Sequence, residues 1–187
     1  MKKFSVTWFL FFAIANLSFA QNLFFKDSGH NKIFLTKTKR SIIPDKYRGL
    51  TFCFSKAKKF LLTLPDESKI TDRKLAPVMS LIKPDGSVAR FRVWKSNVQE
   101  AGTPITDDYV HTFAGQGIDD LYATIRFDFS KYGFHAQILT PNGDYFIDPY
   151  ARSETKKYIS YFRVDLKGGG RPPDIVESQD SLIRRRQ

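Results

Sequence analysis

The chain of 187 residues has one cysteine, three histidines and two methionines. A single Cys53 excludes an intrachain disulfide framework and any Cys-rich zinc module. His30, His111 and His135 are followed by Asn31, Thr112 and Ala136. The pattern His-Glu-x-x-His, which sets two imidazoles and a base on one helical face, is therefore absent, as is any other metal-ligand spacing. Gly-x-Ser-x-Gly is missing too, and Ser-x-x-Lys occurs only as Ser153-Glu154-Thr155-Lys156, in a polar stretch without companion motifs. Acid is scarce: 19 Asp and Glu stand against 30 Lys and Arg, a net charge of +11. These absences point to a non-catalytic, binding role and imply no metal and no cofactor.

What is present suffices for one folded domain. A hydrophobic fraction of 42% with 15% aromatics supplies a core. Lys2 and Lys3 precede the apolar run Trp8–Ala15, and Ser18-Phe19-Ala20 places small residues where a signal peptidase reads them. Residues 1–20 thus read as a signal peptide cleaved between Ala20 and Gln21, with export to the periplasm or beyond. The mature chain keeps 28 basic and 19 acidic residues, a net +9. No later segment is apolar enough for a transmembrane helix.

Residues 21–46 mix aromatics with the basic run Lys37-Thr38-Lys39-Arg40 and read as an N-terminal arm with a short extended piece. The domain follows at 47–166. Tyr47–Phe54 is a candidate strand, and Ser55 a candidate cap for a helix whose Ala57, Phe60, Leu61 and Leu64 form one apolar face. Pro65 stops it. Thereafter the signals are β. Val78–Ile82 and Val88–Trp94 flank a Pro-Asp-Gly turn, and Ala123 to Ser130 alternates with period two. Phe134–Leu139, the Asn142-Gly143 turn, Tyr145–Ile147 and Tyr158–Val164 continue the series. The expected class is α+β with β dominant: an antiparallel meander or sandwich-like sheet and one packed amphipathic helix. Gly168-Gly169-Gly170, Arg171-Pro172-Pro173 and Arg184-Arg185-Arg186 predict a flexible basic tail over 167–187.

Few residues are left to carry chemistry. His135, between Phe134 and Ala136, reads as a half-buried, hydrogen-bonded strand residue, since no acid or nucleophile lies at motif spacing. Gly115-Gln116-Gly117-Ile118-Asp119-Asp120 lacks the third glycine of a dinucleotide loop and feeds a strand instead of a helix. Asp119-Asp120 has no EF-hand register. Cys53, flanked by Phe52 and Phe54, reads as a small inert thiol. The basic runs would attract phosphates or anionic lipids, but export removes most nucleic acids, so none is expected as a partner.

Taken together, Gly115 to Asp120, Ala123 to Asp128, Gly133 to Ala136, Pro141-Asn142-Gly143, Ile147 to Tyr150 and Tyr158 to Tyr161 resemble a known family. It is the N-terminal propeptide region of secreted reprolysin-type zinc metalloproteases of Bacteroidetes-like bacteria. Pro44 to Tyr47, the helix, Pro84-Asp85-Gly86 and Phe91-Arg92-Val93 fit the same order, so the likeness covers about residues 40–166. It implies a pro-domain that assists folding of a zinc metalloprotease catalytic domain or holds it latent, here as a truncated precursor or in trans. The resemblance gives Cys53 no zinc-binding role. The loop Thr112–Asp120, with Gly115, Gln116, Gly117, Ile118, Asp119 and Asp120 at its heart, is the candidate protease contact, its glycines permitting close backbone approach. The alternative is an exported β-rich module for an anionic envelope or extracellular ligand. Another is the relic of a disrupted gene. Edman sequencing of the secreted chain is expected to start at Gln21; a start at Met1 would remove the export reading.

Overall fold

A computed structural model describes residues 22–40, 42–96 and 110–166. The predicted signal peptide with Ala20 and Gln21, and the predicted tail, lie outside the described residues. Among the described residues nine strands form one antiparallel sheet: β1 (Phe25–His30), β2 (Arg48–Phe52), β3 (Val78–Ile82), β4 (Val88–Lys95), β5 (His111–Gly117), β6 (Thr124–Ser130), β7 (Gly133–Leu139), β8 (Tyr145–Pro149) and β9 (Lys157–Phe162). Their spatial order is β1-β2-β9-β8-β7-β6-β5-β4-β3. Strands β3 to β9 are thus a seven-stranded meander, and β2 and β1 extend it beyond β9. The helix α1 (Phe54–Leu62) follows β2. The β-dominant α+β expectation is met.

The sheet curls until its two edges approach. Leu23, just before β1, bridges Ser80 of β3 in parallel. The Asn22 carbonyl accepts from the Ser80 amide at 3.2 Å, and its side-chain amide donates to the Val78 carbonyl at 2.9 Å. The concave side is filled by aromatic rings. Phe52 lies 4.6 Å from Phe25, 5.1 Å from Tyr158 and 5.6 Å from Phe134 between ring centres, and Phe113 stacks on Phe127 at 4.8 Å. Ala57, Leu61 and Leu64 bring the apolar stripe of α1 and the residues after it into this core. Among the described residues, these buried side chains form one continuous core cluster on the concave side.

Part of the convex side is covered as well. Tyr47, Phe146, Tyr150, Ala151, Ile159 and Tyr161 form a second cluster under Phe34, Ile42 and Leu166. In β9, Tyr158 joins the concave core while Ile159 and Tyr161 join the convex one. A strand buried on both faces loses its polar alternation, which is why Lys157–Phe162 reads as a nearly continuous apolar run.

Two local expectations are corrected, and a third is sharpened: the short extended piece expected within residues 21–46 is β1, which joins the sheet by pairing with β2 over Phe25 to His30. Its period is hidden because Phe24 and Phe25 are both buried and the register shifts between Asp27 and Gly29. Ser55 lies inside α1; Cys53 occupies the N-cap position without a side-chain hydrogen bond and is a half-exposed free thiol. And Thr112–Gly117 is strand, not loop. Truncation of Phe52 to Ala is expected to cost about 4 kcal/mol in urea unfolding. Val164→Ala, at an 87% exposed position, is expected to stay within about 0.5 kcal/mol of the parent.

Candidate functional site

The residues singled out around Gly115–Asp120 fall into a strand and a turn. In β5, Phe113, Gly115 and Gly117 face the core, so the alternation is regular but two of its three inward positions have no side chain. A Cβ at Gly115 would stand 2.5 Å from the Arg92 carbonyl and 2.8 Å from the Ile125 side chain. One at Gly117 would stand 2.1 Å from the Asp120 carbonyl. These glycines serve the chain's own packing. A side chain at 117 therefore reports on folding, and the expectation that the glycines themselves meet a partner is set aside.

Beyond Gly117 the chain makes a tight turn in which the polar groups find partners. Asp119 accepts from the Arg90 amide at 2.9 Å and from its Nε at 3.0 Å, tying the turn to β4. That guanidinium holds the Asp119 carboxyl below its usual range, and the carboxylate raises the arginine in turn. Asp120 accepts from the Tyr122 amide at 2.9 Å, Gln116 donates from its side chain to the Ala123 carbonyl at 3.0 Å, and the Ile118 amide donates to the Arg90 carbonyl at 2.9 Å. The acidic pair is thus occupied within the fold. Among the described residues no group of three or more His, Cys, Asp or Glu could hold a metal ion. What the turn presents outward is Leu121 and Tyr122, 74% and 82% exposed. No sequence signal marks these two, since exposure of an apolar pair is decided by where the turn points.

The second constellation lies on the convex face. The register sets Asp128 of β6 directly opposite His135 of β7, and β8 brings Asp148 to the other side of the ring. His135 Nδ1 is 2.8 Å from Asp148 Oδ1; beside a carboxylate this nitrogen is the protonated one. Tyr161 of β9 donates to Asp148 Oδ2 at 2.6 Å. Four residues scattered over 34 positions thus form one line across four strands. Burial disfavours a charged His135, but the hydrogen bond to Asp148 and the two negative charges outweigh it, and the net shift is upward. Burial pushes Asp128 up to about 6, and burial with the Asp148 charge holds the Tyr161 phenol protonated far above its ordinary value.

His135 also lines a cavity of about 450 Å³. Ile42, Tyr132, Pro149 and Ala151 are its apolar walls, and Arg152 and Ser153 join His135 as polar ones. Ser153 holds the left-handed backbone region at φ 59°, a strained choice for a residue with a side chain. The sequence does identify His135 as a half-buried, hydrogen-bonded strand residue, but its acidic partners are visible only through register. Ser153 and Lys156 of the Ser-x-x-Lys match take no catalytic arrangement with it: Ser153 turns the chain after β8, and the Lys156 amide caps Glu154.

No family model, curated protein or solved structure matches this chain. Among the described residues no helix is long and apolar enough to cross a membrane.

The raised Asp128 carboxyl has a consequence for stability. An acid that binds its proton more tightly in the fold than in the unfolded chain, where its value is 3.8, loses stability as pH rises from about 4 through 6. Asp128→Asn removes that penalty. It is expected to stabilise the protein by on the order of 1–2 kcal/mol near neutral pH and to have little effect at pH 4 or below, in urea titrations at both pH values.

Proposed function

We propose that this chain is an exported, non-catalytic, propeptide-like domain whose partner is a zinc metalloprotease catalytic domain. The observation that carries the reading is the β5–β6 turn, in which a rigid hydrogen-bonded frame displays Leu121 and Tyr122 to solvent. Large apolar side chains on a preorganised loop are the composition of an interface anchor: burial against a partner gains their area, and little ordering entropy is lost. The turn lies within the stretch whose motifs resemble the metalloprotease propeptides. The candidate contact thereby shifts from the glycines to the residues that follow them.

A self-supporting scaffold is the other requirement of a pro-domain, whether it templates folding or covers a cleft. The curled sheet with its plugged concave side is such a scaffold. The net +9 of the mature chain favours a second reading, a module for an anionic envelope or extracellular ligand.

Salt separates the two. The mature chain, titrated against reprolysin-type catalytic domains secreted by the same source, is expected to inhibit peptide hydrolysis equally in about 0.15 and 0.5 M NaCl. The double change Leu121→Asp with Tyr122→Asp is expected to weaken that inhibition by at least about tenfold while the melting temperature stays within about 2 °C. Unchanged inhibition by the double variant would sink the turn as the contact. Binding that appears only to anionic vesicles or polymers and collapses with salt would replace the protease reading by the second one.

A further inference from the structure

The cavity beside His135 belongs to neither reading, and its chemistry is one-sided. Asp148, the acid that touches His135, has both oxygens engaged, one by the histidine and one by Tyr161 at 2.6 Å. Its side chain is only 10% exposed, against 32% for His135. It is therefore closed to an incoming cation. With Nδ1 held by Asp148, the ring nitrogen left for the cavity is Nε2, which has no hydrogen-bond partner among the described residues. Arg152 is exposed on the rim, with no ion pair among the described residues, and Ser153 adds a hydroxyl. Ile42 and Tyr132 add apolar surface, with the buried Pro149 and Ala151 behind them. A donor-bearing edge and an apolar body make a site for an amphipathic anion, and about 450 Å³ is within the range of small-molecule pockets.

We propose that this cavity is a binding site for a carboxylate with an apolar body, either a small organic acid or the free C-terminal residue of a peptide. The carboxylate is received by His135 Nε2 and Arg152, and the apolar part lies against Ile42 and Tyr132. Asp148 and Tyr161 are positioning residues: they fix the ring's orientation and which nitrogen faces the ligand. Ser153 is held where its hydroxyl borders the site by an αL backbone that the β8–β9 connection imposes.

Two nearby acids oppose an anion; Asp148 is engaged by His135 and Tyr161, and Asp128 makes the proposal testable. The groups facing His135 are Asp128 from β6, Asp148 from β8 and Tyr161 from β9, with Tyr132 and Arg152 around the cavity. Burial and the Asp148 charge keep Tyr161 neutral across the working range. Asp128 and His135 both change in the same favourable sense as pH falls: the acid loses its negative charge, and the imidazole gains a positive one with an Nε2 proton to donate. Affinity for a carboxylate must then rise on acidification.

The probes are 3-phenylpropionate and the dipeptide acid N-acetyl-Ala-Phe, with 3-phenylpropionamide and 3-phenylpropylamine as matched controls, titrated calorimetrically into the mature chain. At least one acid is expected to bind at about pH 5.5 and to weaken about tenfold by pH 7.5, while the amide and amine do not bind. Preference between the two acids tells a free acid from a peptide terminus. Asp128→Asn is expected to strengthen binding at pH 7.5 and flatten the pH profile; His135→Gln is expected to abolish it. Should His135→Gln not fold, Arg152→Ala on the exposed rim is expected to weaken binding at least several-fold with an unchanged melting temperature. Equal binding of acid and amide, preference for the amine, a pH profile of opposite sign, or no binding of either acid at about 10 mM would each overturn the proposal.

Discussion

The fold depends on the seam that closes its curl. A nine-stranded sheet with an aromatic concave face would leave two open edges and a wet core unless the edges meet, and they meet through residues 22–24. Asn22 supplies both a main-chain acceptor for Ser80 and a side-chain donor for Val78. The Phe24 carbonyl accepts from the Cys53 amide at 2.8 Å, joining the same few residues to the start of α1. Two consecutive buried phenylalanines then enter the core, Phe24 against Phe60 of the helix and Phe25 against Phe52 and Phe134. The residues expected to head the mature chain are therefore the ones that complete the sheet. The bridge ties the two edge strands together at one end of the sheet.

Several motifs that stand out in the sequence work on behalf of this architecture. The Pro84-Asp85-Gly86 turn does more than reverse the chain between β3 and β4. Arg48 of β2 reaches it, donating to the Pro84 carbonyl at 3.2 Å and the Asp85 carbonyl at 3.1 Å while pairing with Asp27 at 2.8 Å. Gly86, at φ +93°, faces that guanidinium so closely that a Cβ would stand 2.7 Å from it. Arg90 and Asp119 do the same for the β5–β6 turn. Such clamps orient turns, and a turn whose internal bonds are all made is free to offer its exposed side chains elsewhere.

The convex face follows different rules. Where Phe34, Ile42 and Leu166 cover it, the sheet is apolar on both sides, and Arg40 lies across the rings of Tyr47 and Tyr150 at 5.0 and 4.4 Å. At the border of that cover the outward residues are Asp128 and His135, both partly exposed, backed by the buried Asp148. Intermediate burial keeps ionisable groups coupled to one another yet reachable, the condition under which histidine responds near neutral pH.

Local pattern in the sequence determined the β-dominant class, the position of the helix and most strands, because side-chain periodicity and turn residues act within a few neighbours. Residues such as Phe127 and Leu61 declare their inward face by spacing alone. Strand β5 was not legible, since Gly115 and Gly117 occupy inward positions where a hydrophobic pattern looks for bulk. Strand β1 was hidden by its register shift. His135 was readable as a half-buried strand residue, but its pairing with Asp148 and Asp128 was not. Cross-strand register, set by long-range pairing, decides which distant acids stand beside a histidine. Tertiary structure likewise decided that Leu121 and Tyr122 project into solvent while Phe24 and Phe25 are buried. Burial is a property of the whole packed sheet, and an apolar side chain carries no local mark of which side of it will meet water.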